Sequence, residues 1–89
     1  MARSEFGLQT DIVAPDGRQW HGRCSQVQIP AIDGSLGILP GRQPILVMLG
    51  EGDVIVDAED GRHTFAMNGG FASVDSDYVT VVAQRDIVS

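Results

Sequence analysis

A chain of 89 residues supports a single core, because domains this short bury only about 60 to 65 percent of the surface their unfolded chains expose. Twelve Asp and Glu stand against six basic residues, all arginine, for a net charge of −6. With no lysine, and with Arg3, Arg18, Arg23, Arg42, Arg62 and Arg85 scattered along the chain, the electrostatic footprint of nucleic-acid or anionic-lipid binding is missing.

The predicted elements are all strands. Phe6, Leu8, Ile12 and Ala14 share one parity while Gln9 and Asp11 take the other, the alternation of a half-buried strand. Pro15, Asp16 and Gly17 then supply a tight turn and a hairpin. Residues 26–29 alternate again. The run "PILVMLGEG" has a five-residue apolar core ended by Gly50 and Gly52, which reads as a buried strand better than as a helix. Residues 54–58 and 63–67 alternate on either side of the turn "AEDGR", and "NGG" at residues 68–70 is the strongest hairpin signal in the chain. Residues 71–75 and 78–84 form the last pair, joined across "DSD". No twelve-residue stretch carries an apolar stripe at helical spacing, and no internal repeat, linker or low-complexity tract stands out. The expected fold is a flattened antiparallel β-sandwich of about ten short strands with no substantial helix. The domain is expected over residues 6–86, with tails at 1–5 and 87–89.

Candidate chemistry is sparse. Cys24 is the only cysteine, so an intramolecular disulfide and a multi-thiolate metal site are excluded, and a reducing compartment is the natural expectation. His21 and Arg23 lie near it in sequence, yet a buried, inert cysteine is the commoner case and a thiol enzyme is discounted. His21 and His63 have no third ligand at zinc spacing. The acidic residues Asp57, Glu59, Asp60, Asp75 and Asp77 lack the order of a calcium loop and read as turn carboxylates. There is no lysine for a Schiff base and no Ser in a nucleophile elbow. No cofactor, metal or catalytic residue is expected. The N-terminal residues lack the apolar stretch of a secretory signal, of about 7 to 15 residues, and no window approaches the roughly 18 apolar residues of a membrane span. No direct membrane insertion is expected.

The stretch "GSLGILPGRQP", residues 34–44, is the most distinctive in the chain. Gly34, Gly37 and Gly41 match neither dinucleotide nor P-loop spacing, and Pro40 and Pro44 oppose the helix that a phosphate cradle needs. Leu36, Ile38 and Leu39 sit where a solvated loop would be polar. The reading that follows is a stiffened docking loop in which Gly37 and Gly41 supply backbone geometry and Pro40 and Pro44 limit the entropy lost on binding. A stand-alone β-sandwich that binds a ligand or peptide is the alternative. Of its five aromatics, Phe6, Trp20, Phe65, Phe71 and Tyr78, four lie in strands where core packing accounts for them.

"DGSLGILPGRQPIL" resembles the G-x-L-G-I-L-P-G-H-x-P-L motif of the ATP synthase epsilon subunit family. The likeness extends through "DIVAPDGRQWHG", "GEGDVIV" and "FAMNGGFASVDSDYVTVVA", so it spans residues 6–83 in order. The resemblance implies a non-catalytic central-stalk subunit that couples ion translocation to ATP synthesis, peripheral on the cytoplasmic side of a bacterial inner membrane. It implies gamma and the membrane c-ring as partners. By motif position, Asp33, Gly34, Ser35, Arg42 and Gln43 are expected to face the ring, and Ala14, Val47 and Gly52 to face gamma. Arg42 stands where the family usually has His, replacing a titratable ring by a fixed cation, and Ser35 stands where many members have Glu. The helical hairpin of full-length members is not expected in this sequence, nor is the ATP binding or inhibition that goes with it.

Overall fold

The computed structural model describes residues 6–41 and 43–85, so Arg42 and both chain ends lie outside the described residues. Six strands are present among the described residues: β1 (Leu8–Ala14), β2 (Gly17–Ala31), β3 (Gly34–Ile38), β4 (Ile45–Ala58), β5 (Gly61–Asp75) and β6 (Tyr78–Ala83). They run in the order β1-β6-β5-β4-β2-β3, and a further β1–β2 pairing closes the first five into a barrel with β3 added at an edge. Extents of 42 × 25 × 18 Å make this a flattened body, as expected from the strand-only pattern.

Six strands replace the expected ten because three of them, of 15, 14 and 15 residues, continue through positions that read as breaks. The register of β4 with β5 holds from Ile45↔Val74 to Ala58↔Gly61 without a shift. Gly50 and Gly52 therefore lie inside a strand. Likewise residues 68–70 form no hairpin: Gly69 (φ 88°) and Gly70 (φ 124°) bend β5 while it stays paired. A Cβ at Gly70 would fall within the van der Waals shell of Val82 O and about level with Gln84 N at 3.0 Å, so the β5 backbone approaches β6 as only glycine permits. One pairing, β1 with β6, is parallel, a departure from the all-antiparallel expectation.

The turns follow local chemistry. The tetrapeptide A-x-D-G occurs three times, at residues 14–17, 31–34 and 58–61. Each closes a two-residue hairpin loop on an Ala↔Gly pair, Ala14↔Gly17, Ala31↔Gly34 and Ala58↔Gly61. The three glycines share a positive φ of 125° to 131°. The β5–β6 turn does the same work without glycine, since Ser76 (φ 50°) and Asp77 (φ 66°) both take the left-handed conformation that a primed turn demands.

Inward-facing residues from every strand form one core, including Leu8, Ile12, Val27, Ile29, Ile38, Val54, Val56, Val74, Val79 and Val81, all essentially inaccessible. Cys24 belongs to this core, with Thr10 Oγ1 3.0 Å from its Sγ. Trp20 and Phe65 pack against the core from the side. His63 lies between them, 5.2 Å from the Trp20 ring and 6.5 Å from Phe65.

Candidate docking surfaces

The first surface lies along β4 and its neighbours. Its apolar run was expected to be a buried strand, but a strand in a single-layer barrel wall has two faces. Val47 and Leu49 turn inward, whereas Leu46 and Met48 point out and are 68% and 55% exposed. Met48 pairs with Phe71, Phe71 with Val82, and Val82 with Val13, so one outward row crosses four strands and all four of its residues are apolar. Ile32, 69% exposed, joins the row's end, where its N–H donates to Met48 O at 3.1 Å. Exposed apolar rows of this kind mark contact surfaces.

The second surface is made of loops. The β2–β3 turn presents Ile32 and Asp33, with Gly34 and Ser35 opening β3, all four exposed. The β3–β4 connection carries Leu39, Pro40, Gly41, Gln43 and Pro44, also exposed, and Leu39 is 56% accessible. The two segments flank the first residues of β4, and a shallow depression runs between the β2–β3 turn and Leu46, Val47 and Met48. Gly41 (φ 88°) has open space around its Cα, and its N–H donates to Asp77 Oδ1 at 2.6 Å. Gly37 is not in the loop: it is a β3 residue paired with Gln28.

Of the residues expected to face a ring, Asp33, Gly34 and Ser35 sit together at the β2–β3 turn and Gln43 is exposed in the β3–β4 connection, while Arg42 lies outside the described residues. The three expected to face gamma do not form one patch. Ala14 is 4% exposed, a core residue at the end of β1. Val47 is half-buried against the core. Gly52 is packed under Pro30, whose Cβ would lie 2.8 Å from a Cβ at 52, so that glycine serves the fold itself. Of this row, the outward placement of Leu46 and Met48 is signalled by the unbroken run "ILVML", which alternation forces to expose every second residue, whereas Phe71 and Val82 join them only through cross-strand pairing.

A polar network crosses the outside of the barrel beside the apolar row. Asp11, nearly buried on β1, receives the Tyr78 hydroxyl at 2.7 Å and bonds to His21 Nδ1, with the Arg18 guanidinium 3.9 Å away. Burial alone would push the Asp11 carboxyl up. The hydrogen bonds from His21 and Tyr78 and the nearby positive charge outweigh it and hold the carboxyl below the ordinary aspartate range. The same hydrogen bond, with some burial, raises the Tyr78 phenol. Burial raises the Cys24 thiol, reinforced by the charge of Asp57 and only partly offset by Thr10, which is the reverse of what a nucleophile needs. Among the described residues, no three His, Cys, Asp or Glu side chains are grouped to hold a metal ion.

A flattened β-barrel with an outward apolar row and exposed loops has the form of a docking module. The family model described as "ATP synthase, Delta/Epsilon chain, beta-sandwich domain" matches residues 7–88, and the chain belongs to this family. The ATP synthase epsilon chain of Micrococcus luteus is 42% identical over 77 residues, covering 85% of each chain. That of Rhodobacter capsulatus is 35% identical over 80 residues, covering 90% of this chain and 61% of the relative. The chain thus spans most of the first relative and about three fifths of the second. Among solved structures, one of Euglena gracilis mitochondrial ATP synthase (OSCP/F1/c-ring, rotational state 1) has a chain with TM-score 0.83 at 21% identity, covering 93% of this chain and 53% of that one. One of Tetrahymena thermophila mitochondrial ATP synthase (central stalk/c-ring) gives TM-score 0.74 at 14% identity, covering 93% of this chain and 66% of that one. At these identities the structural likenesses speak for the fold. The stand-alone binding-module alternative gains no support from any of these comparisons, and two of its aromatics, Trp20 and Phe65, are packed on the core.

Proposed function

We propose that the chain is a non-catalytic rotor subunit of an F-type ATP synthase, which links the gamma subunit to the membrane c-ring and so couples ion translocation to ATP synthesis. The observation that carries this reading is the family match over residues 7–88, together with relatives named as epsilon chains. The geometry supplies what such a coupling needs: two contact surfaces on one compact body. Ser35, Asp33, Gly34 and Gln43 on the loop surface face the ring, with Arg42 beside them in sequence. The row of Met48, Phe71 and Val82, with Leu46 next to it, faces gamma. The subunit lies peripherally on the cytoplasmic side of the membrane.

Co-expression with a tagged gamma subunit tests this. The wild-type chain is expected to co-purify with gamma at equal stoichiometry. Met48→Glu, which puts a charge where the contact would desolvate it, is expected to weaken that association by at least tenfold with the fold intact. A wild-type chain that does not co-purify would remove the gamma contact from the account.

A further inference from the structure

We infer that Asp77 is the positioning residue of the loop surface, a carboxylate that fixes the geometry in which residues 39–41 meet the partner. Two contacts converge on this one residue, and its neighbour makes a third. Its side chain accepts the Gly41 N–H at 2.6 Å, short for an N–H···O bond and thirty-six residues distant in sequence. Its backbone carbonyl accepts the Gln9 N–H at 2.9 Å, tying the turn to the start of β1. Its neighbour Tyr78 donates to Asp11 on the same strand, and Asp11 is bonded in turn to His21 on β2. The β5–β6 turn is therefore anchored to two strands of the barrel, and the loop is anchored to the turn.

The turn has the form that this task requires. Ser76 and Asp77 both take positive φ, a conformation that costs free energy for side chains other than glycine and is tolerated best by Asp and Asn. Glycine at 77 would relieve that cost. Aspartate instead brings an acceptor within reach of a loop whose own sequence leaves it underdetermined: Gly41 has positive φ and no atom within 4 Å of the place where its Cβ would be. Pro40 restricts the loop on one side of that glycine, and the Asp77 carboxylate restricts the glycine itself. Leu39, exposed and apolar, is then presented in one orientation, which lowers the entropy lost on docking.

This inference rests on the reading of the loop as a contact surface, and the test separates the two. Two variants suffice, because both residues are accommodated at positive φ. Asp77→Asn keeps an acceptor oxygen without the charge, and Asp77→Gly removes the acceptor while easing the backbone. Amide hydrogen exchange of the full chain reads the clamp directly: protection of the Gly41 N–H is expected to fall about tenfold in Asp77→Gly and to be largely kept in Asp77→Asn. Binding to the purified complex of gamma and c-ring reads its role. Asp77→Gly is expected to bind about tenfold more weakly despite unchanged or raised thermal stability, and Asp77→Asn to bind nearly as the wild type does. A merely structural role would move stability and affinity together. Equal binding by Asp77→Gly and the wild-type chain overturns the inference and leaves the docking reading standing; a wild-type chain that does not bind overturns both.

Discussion

Replacing Gly70 by alanine tests whether the "NGG" segment is a bend inside a continuous strand. Two costs add. The first is backbone conformation: φ of 124° is a region alanine rarely adopts, worth about 1 to 3 kcal/mol. The second is contact, because the new Cβ would press into Val82 O and lie 3.0 Å from Gln84 N and 3.1 Å from Ala83 Cα, all of them backbone atoms of the facing chain that cannot rotate away. Relief requires β5 and β6 to separate, at a cost of about 1 to 3 kcal/mol, typical of overpacking. Gly17→Ala isolates the first cost, since Gly17 has nearly the same φ, 126°, and nothing within 4 Å of its Cβ position. Urea unfolding of the two variants gives the comparison. Gly70→Ala is expected to lose roughly 2 to 6 kcal/mol, a large share of the roughly 4 to 13 kcal/mol available to a domain of this size. With a slope of about 1.5 kcal/mol per molar urea, its midpoint falls by about 1 to 4 M, and that of Gly17→Ala by about half as much. Equal losses in the two variants would refute the close approach of β5 to β6, and with it the account of why the strand is unbroken there.

Three further outcomes follow from the same structure. Because the Asp11 carboxyl is held below its unfolded value, the stability it contributes is complete above the ordinary aspartate range and is lost as pH falls through the lower folded value; the acid limb of the stability profile should flatten in Asp11→Ala, which should also lose roughly 3 kcal/mol at neutral pH. An unchanged acid limb would mean that the network does not favour the charged carboxylate. Cys24, fully buried and with its thiol raised, should react with a thiol reagent at least a hundredfold more slowly than a free cysteine, on the order set by the domain's opening equilibrium; labelling at the free rate would place it at the surface. Phe71→Ser should leave unfolding stability within about 1 kcal/mol of the wild type, because the ring covers the outside of the sheet, while weakening association with gamma; a loss of several kcal/mol would mean that the row is part of the core.

What the sequence made legible was set by the range of the interaction that decides each feature. Turns are decided within four residues, so the hairpins at Asp16 and Asp60 were readable from Asp-Gly and the one at Asp77 from its Asp-Ser-Asp run. The threefold A-x-D-G pattern is equally local. Alternation fixed which strand residues face the core, Val54 and Val56 for example. Whether "NGG" turns the chain or bends it is decided by the partner strand, since the β4–β5 register keeps Asn68 paired with Glu51 and Gly70 with Leu49. Nothing within the segment announces that. The parallel β1–β6 pairing, the Asp11–Tyr78 bond and the Asp77 clamp join residues 69, 67 and 36 positions apart, and such juxtapositions exist only once the barrel closes. The exposed β3–β4 connection was legible as a loop because its glycine and prolines are contiguous in sequence. The full apolar row was not, because its members come from four strands.

Site-directed cross-linking measures the central claim most directly, and buried Cys24 leaves an introduced cysteine as the reactive thiol. Ser35→Cys, on the exposed loop surface, is expected to cross-link to the c-ring in the assembled enzyme, while Met48→Cys cross-links to gamma. Glu59→Cys, exposed at the β4–β5 turn and so at the opposite end of β4 from Leu46 and Met48, is expected to cross-link to neither. Ring cross-links from Glu59→Cys and none from Ser35→Cys would contradict the account.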